Sequence, residues 1–415
     1  MRARAARMLA AAVAALLLAL VAVAPAGAQE PAAPPELSAP SAILVEASTG
    51  EVLYQRAADK RRPIASTTKL MTALLTMEHA KLSDVVPASS YIASPIESKL
   101  SLRPGEKLTV ADLLRGLMLE SANDAAVALA EHVSGTRTAF VQLMNRRARE
   151  LELTNTHYDN PIGLDGPGNY SSARDLARLA LELRNHSFVR KIANRTYATL
   201  ATGDRPRTVR NRNTLLNRDE HVNGLKTGHT MTAGYVLVGT RTRDRVTLVS
   251  VVLDTPSLAA RDEDSLALLR WGAGLYHRVT PVTKGVPVTE AAIQFRRGAS
   301  VPLVTAGSVT RVVRRDAEIT TNDVNVPKQV TGPVERGQKL GYREVFADGE
   351  RIAAVPIVAE HFVPEADVVQ RTKDWFTKLP ALILAVAVLG CTVLVARRVR
   401  RGRRRRPPRS EPEAA

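Results

Sequence analysis

The chain has 415 residues, 45% of them hydrophobic and 24% charged, which is long enough for two domains and too apolar for wholesale disorder. Its net charge of +17 is concentrated at the ends: Arg2, Arg4 and Arg7 stand unopposed in the first 28 residues, and residues 397–415 carry nine arginines against Glu411 and Glu413, which favours a membrane over nucleic acid as partner. A single cysteine excludes an intrachain disulfide and a Cys-rich metal site, and the eight histidines show no H-E-x-x-H spacing, so neither metal nor cofactor is expected.

The three N-terminal arginines precede an apolar run, Met8 to Val23, and the small-residue site Pro25-Ala26-Gly27-Ala28. That three-part pattern predicts a secretory signal peptide over residues 1–28. An Ala- and Pro-rich linker follows over 29–41. Ala42–Ala47 and Glu51–Tyr54 flank Ser48-Thr49-Gly50 and predict two strands joined by a turn. Beyond Pro63, apolar residues at Leu70, Ala73, Leu74 and Met77 have helical spacing, and so does the stretch Val110–Val133. Further helices fit Thr138–Leu151 and Ala173–Leu183. The period then shortens, so Ala233–Thr240 and Arg245–Leu253 read as neighbouring strands, and a last helix fits Asp264–Tyr276. The simplest assembly is an α+β domain over 42–278, with the first and last strands in one antiparallel sheet and helices packed on it.

From residue 279 to 365, short β-rich pieces separated by Gly, Pro and Asp predict a small all-β domain. Residues 366–379 form a juxtamembrane segment leading to Pro380–Ala396, 17 residues without a charge. That is the lower limit for spanning a bilayer. The arginine cluster after it, in the 397–415 tail, predicts a cytoplasmic C-terminus and an extracytoplasmic body. Such a location excludes ATP-dependent chemistry, and neither a P-loop nor a G-x-G-x-x-G fingerprint occurs.

Three short motifs carry chemistry. In Ser66-Thr67-Thr68-Lys69 the serine and lysine are three residues apart, which places both on one helical face. A serine hydroxyl needs a base to become a nucleophile, and a lysine whose pKa is lowered by burial and a neighbouring cation can serve. Alone, S-x-x-K also describes an N-cap serine followed by an exposed lysine. Ser121-Ala122-Asn123 interrupts an apolar helical run with residues that compete for backbone hydrogen bonds, so a break is expected there; a plain helix–helix turn reads the same way. Lys226-Thr227-Gly228-His229-Thr230 precedes a strand. Its glycine would let another backbone come close, and its lysine and threonine could bind an anion.

The three motifs together, in this order, resemble those of penicillin-binding proteins and class A β-lactamases. With Pro63–Thr72, Pro104-Gly105-Glu106, Ser121–Ala126, Tyr170–Ala177 and Gly224–Thr230, residues 42–278 resemble the serine-type D-alanyl-D-alanine carboxypeptidases, the low-molecular-mass penicillin-binding proteins of the S11 peptidase type. The following β-rich segment resembles that family's C-terminal domain. The resemblance implies a β-lactamase/transpeptidase-like fold and an enzyme that removes the terminal D-alanine from peptidoglycan stem peptides. It implies Ser66 as nucleophile, Lys69 as its base, and Ser121 in proton transfer. Asn123, Lys226, Thr227 and Gly228 would bind substrate, and the backbone N–H groups of Ser66 and His229 would form the oxyanion hole. β-Lactams would acylate Ser66. Arg212 and Arg261 are second-rank candidates for polar contacts, with surface charge as the alternative.

One departure is Ile162, where family members can carry a histidine; His157 has a different offset and reads as structural. The alternatives on the same scaffold are a β-lactamase, a DD-endopeptidase and a non-catalytic wall-binding protein. Thr156–Asn169 contains no Glu to position a hydrolytic water, which counts against the first.

Overall fold

A computed structural model describes residues 33–377 and 379–403. The expected signal peptide 1–28, residues 29–32 of the linker and residues 404–415 of the tail lie outside the described residues.

The first unit runs to His277 and is built on five strands. They are β1 (Ser41–Glu46), β2 (Val52–Arg56), β3 (Val222–Thr230), β4 (Gly234–Arg243) and β5 (Val246–Thr255). Across the sheet they lie in the order β2-β1-β5-β4-β3. Every pairing is antiparallel, with β1 facing β5 from Ser41 opposite Leu253 to Glu46 opposite Leu248. The first and last strands of the unit therefore meet in one sheet, as their patterns predict, and β3 forms an edge.

Alternation along β1 divides the core. Ile43 and Val45 join one apolar cluster, and Ala42 and Leu44 join another with Leu266, Leu268 and Leu269. Side chains point alternately to the two faces of a strand, and both faces here are covered, so β1 and β5 read as almost unbroken apolar runs. Each fully buried Leu or Ile contributes roughly 1.5–3 kcal/mol.

The helices are α1 (Lys69–His79), α2 (Val110–Arg115), α3 (Asn123–Ser134), α4 (Arg137–Glu150), α5 (Ala173–Leu183), α6 (Ser187–Ala193) and α7 (Leu258–Gly274). In α5 the residues Leu176, Ala177, Leu179, Ala180 and Leu183 are buried, and the Ser172 hydroxyl caps the helix by accepting from Asp175 N at 3.2 Å. The α7 helix begins six residues before the Asp264 start expected from pattern. Ser257 caps it by accepting from Ala260 N at 3.0 Å. Its first turns look polar in sequence, but the Asp264 carboxylate is consumed internally, by Ser38 and by Ala39 N at 2.7 Å. Elements without a legible pattern include α6, a hairpin of Tyr197–Leu200 with Arg207–Arg210, and the short pair Val85–Pro87 with Lys107–Thr109.

The second unit begins at Arg278. Its main sheet has six strands, in the spatial order 319–324, 339–347, 350–359, 300–305, 287–293, 329–330. Ala291, Leu303, Ile357 and Ala359 form its core. The expected juxtamembrane segment is helical over Val368–Thr377, and a longer helix covers Leu379–Arg403. Twenty residues of the latter, Leu382–Arg401, are long and apolar enough to cross a membrane. At 1.5 Å per residue they span about 30 Å, the thickness of the hydrocarbon core.

Candidate active site

Ser66 sits on a single 3₁₀ turn, Ala65–Thr68, that leads into α1. The turn is entered through Ala65, whose φ of 45° is left-handed. Thr67 N and Thr67 Oγ1 both donate to Ile64 O, at 3.1 and 2.6 Å, and lock the turn. The i, i+3 spacing brings Lys69 Nζ to 2.9 Å from Ser66 Oγ. Lys69 is fully buried. Burial holds its pKa well below the ordinary lysine value, and the Lys226 charge lowers it further against the opposing pull of Glu97 and Asp124. A neutral amine keeps a lone pair for the serine proton. Lys69 also donates to the carbonyl of Ile162. At the position where a histidine can occur, the contact with Lys69 is thus made by the main chain, while the Ile162 side chain is buried in the core.

The loop supplying that carbonyl is held from within. Asn160 Oδ1 accepts from the N–H groups of Ile162, Gly163 and Leu164 at 3.2, 2.7 and 3.1 Å. Thr72 on α1 donates to Pro161 O at 2.7 Å. Gly163 has a φ of +84°, and a Cβ there would lie 2.0 Å from Ala65 O, so the loop touches the Ser66 turn at a place only glycine fits. His157 is structural, as its offset suggests: Nδ1 bonds Gly168 O at 2.6 Å and the ring stacks on Tyr170.

The expected break in the second helical stretch occurs at Ser121. After α2 the chain makes a wide π turn, Gly116–Glu120, and Ser121 ends it at φ 65°, ψ 30°. A left-handed non-glycine residue costs about 1–2 kcal/mol. Its surroundings hold it there: Asn123 N donates to Ser98 O at 2.8 Å, and the Asp124 carboxylate accepts from Leu100 N and Leu102 N at 3.0 and 3.1 Å. Ser121 Oγ accepts from Lys226 Nζ at 2.9 Å. Burial first, then the positive charges of Arg212 and Arg261, bring the Lys226 pKa down to about 7. Both lysines are therefore held below their ordinary pKa, chiefly by burial.

Lys226 and Thr227 lie on edge strand β3, opposite Val238 and Leu237 of β4. Gly228 is where β3 meets the Ser66 turn: a Cβ there would stand 2.9 Å from Ser66 N and 3.0 Å from Ala65 Cβ. The backbone approach read from the glycine is present, and its partner is the serine's own turn. The His229 side chain is exposed and stacks on Tyr235, with ring centroids 4.0 Å apart. Arg212 is half exposed and pairs with Glu120. Arg261 is not surface charge: it is buried against Asp262 at 2.7 Å and bears on the site only through its field on Lys226.

Glu97 is the residue that motif reading missed. Its Oε2 accepts from the Asn123 carboxamide and the Tyr91 hydroxyl, and Oε1 accepts from Ser94 N at 2.9 Å. Desolvation raises its pKa, but these hydrogen bonds outweigh it and leave the carboxyl below its ordinary value. Nothing in the spacing marks it, because it lies on an irregular loop 26 positions before Asn123. Among the described residues, no group of His, Cys, Asp and Glu could hold a metal.

A family model described as D-alanyl-D-alanine carboxypeptidase matches residues 28–257, and one described as the C-terminal domain of penicillin-binding protein 5 matches residues 276–365. The D-alanyl-D-alanine carboxypeptidase DacF of Bacillus subtilis (strain 168) is 32% identical over 350 residues, which are 81% of this chain and 90% of that protein. DacC of Escherichia coli (strain K12), described by the same activity, is 32% identical over 354 residues, 82% of this chain and 88% of its own. Among solved structures, penicillin binding protein 5 from Haemophilus influenzae aligns with a TM-score of 0.57 at 31% identity, over 80% of this chain and 99% of that one. The Streptomyces K15 DD-transpeptidase aligns with a TM-score of 0.56 at 34% identity, over 59% of this chain and all of its own.

Proposed function

This chain belongs to the S11 D-alanyl-D-alanine carboxypeptidase family, and from that premise we propose that Ser66 is its acylated nucleophile and Lys69 the base that activates it. Ser66 Oγ attacks the carbonyl carbon of the penultimate D-alanine while the neutral Lys69 amine takes the hydroxyl proton. The oxyanion is met by the N–H groups of Ser66 and His229, preorganised donors of the kind worth on the order of 3 kcal/mol each. Collapse breaks the peptide bond. The leaving D-alanine nitrogen gains the proton through Lys69 and Ser121, and water then hydrolyses the Ser66 ester. Lys226 and Thr227 hold the terminal carboxylate, Asn123 orients the acyl-donor peptide, and Arg212 acts on the carboxylate end by its charge.

The observation that carries this reading is the 2.9 Å approach of a buried lysine amine to Ser66 Oγ. Labelled penicillin tests it. Wild-type protein should be labelled covalently and Ser66→Ala should not; label retained by that variant defeats the assignment.

The same proposal places the body, about residues 42–365, outside the cell membrane, anchored by the C-terminal helix with the basic tail inside and the signal peptide removed. The apolar stretch Leu382–Arg401 and the arginines after Ala396 support it. Removing residues 379–415 should release the protein from the membrane fraction, and a truncated chain that stays bound refutes the anchor.

A further inference from the structure

A groove of about 530 Å³ opens beside the C-terminal end of β3. Arg61, Arg62, Pro63, Asp165, Tyr170 and Thr232 are among its walls. It is tied to the strand directly, since Thr230 Oγ1 donates to Asp165 Oδ1 at 2.8 Å.

The two arginines differ in what they leave free. Arg62 is committed: Nε donates to Ser41 Oγ at 2.7 Å and Nη1 pairs with Asp254. Arg61 is exposed, with its guanidinium 5.1 Å from the centroid of the Tyr170 ring. Its hydrogen bonds to Asn155 Oδ1 and Thr154 O are both long, at 3.4 Å. Among the described residues no carboxylate pairs with it. A cation propped on an aromatic face keeps its fork of N–H donors for an incoming carboxylate.

Strand direction says what reaches the groove. Along β3 come first Lys226 and Thr227, then Gly228 and His229, then Thr230 and the turn to Thr232. A peptide with its C-terminal carboxylate at Lys226–Thr227 and its scissile carbonyl at His229 must send its upstream residues toward Thr232. At about 3.3 Å per residue, two or three of them cover the distance past the strand end. We propose that the Arg61–Tyr170–Asp165–Thr232 groove is the subsite for the acyl-donor peptide upstream of its D-alanines, with Arg61 receiving a side carboxylate of an acidic residue there. Pro63 and the Tyr170 ring offer that residue's methylenes an apolar wall. The inference rests on Ser66 being the acylated residue and β3 the substrate strand.

The test compares two pentapeptides, L-Ala-γ-D-Glu-L-Lys-D-Ala-D-Ala with the glutamate α-carboxylate free or amidated, on detergent-solubilised full-length protein. The wild type should prefer the free carboxylate in kcat/KM by about tenfold, the ratio a single charge-assisted hydrogen bond supplies. Arg61→Ala should bring that ratio close to one, and Arg61→Lys should keep part of it. A wild-type ratio near one, or a ratio that Arg61→Ala leaves intact, overturns the subsite while D-alanine release continues. Release from neither peptide, with no penicillin label on Ser66, defeats the reading beneath it and the subsite with it.

Discussion

Lys226 Nζ lies 2.9 Å from Ser121 Oγ, and the two residues are 105 positions apart in the chain. This contact places a second buried lysine near Lys69, and the roles proposed for the two require opposite protonation states.

The first prediction concerns pH. Lys69 must be neutral to accept a proton, and its pKa is lowered by burial and by Lys226. Lys226 must be charged to hold a carboxylate, and its pKa is lowered to about 7 in the free protein. Discharging Lys69 should raise kcat/KM and discharging Lys226 should lower it, so the pH profile should be bell-shaped. The falling limb should begin well below the pH at which an ordinary lysine discharges. Lys226→Arg, which stays charged, should remove that limb and keep the rising one. A profile on a diacetyl-Lys-D-Ala-D-Ala substrate that keeps its alkaline fall in Lys226→Arg contradicts the assignment.

Glu97 should act through Asn123. Glu97→Ala frees the carboxamide and is expected to lower kcat/KM by about tenfold, the worth of one hydrogen bond to a charged acceptor. Glu97→Gln keeps an acceptor and should retain most of the activity. It removes the negative charge that raises the Lys69 pKa, so the rising limb should move to lower pH. Equal losses in both variants, with the limb unmoved, would show that Glu97 matters only for folding.

Glu106 belongs to a motif block, and its structural partner is now specific. Its carboxylate accepts from Arg207 Nη1 and Nη2 at 2.6 and 2.9 Å, from Arg103 N at 3.1 Å and from Asp204 N at 2.9 Å. These bonds overcome desolvation and bring its pKa down to about 2 from 4.5. A depressed carboxyl pKa contributes stability that is present above 4.5 and lost as the pH falls toward 2. Glu106→Gln, which leaves Arg207 buried without a counter-charge, should destabilise by roughly 3 kcal/mol at neutral pH. Its denaturation midpoint should also change less than that of the wild type between pH 5 and pH 3, as measured by urea titration at the two values.

Gly163→Ala tests the loop against the Ser66 turn. The new methyl would stand 2.0 Å from Ala65 O in a left-handed conformation, so either the loop or Ser66 must move. Because the Ile162 carbonyl travels with the loop, Lys69 is displaced too. Penicillin acylation should fall about a hundredfold, the scale of a misplacement near 1 Å. A variant that acylates at the wild-type rate would mean the loop does not position Lys69.

What could be read from the chain alone was whatever depends on near neighbours. Ser66 and Lys69 meet because helical spacing makes residues three apart share a face, and Ser121 breaks a helix because its neighbours compete for backbone bonds. The short apolar runs of β1 and β5 marked central strands for the same local reason. Contacts across long separations have no such signature. The Ile162 carbonyl on Lys69, the Glu97 carboxylate on Asn123 and the Arg261 charge near Lys226 join residues from different elements, and only packing brings them together. The pKa of each lysine follows from burial and the field of distant charges, so it was decided by tertiary structure. Motif order named the participants, and the fold determined which of them touch.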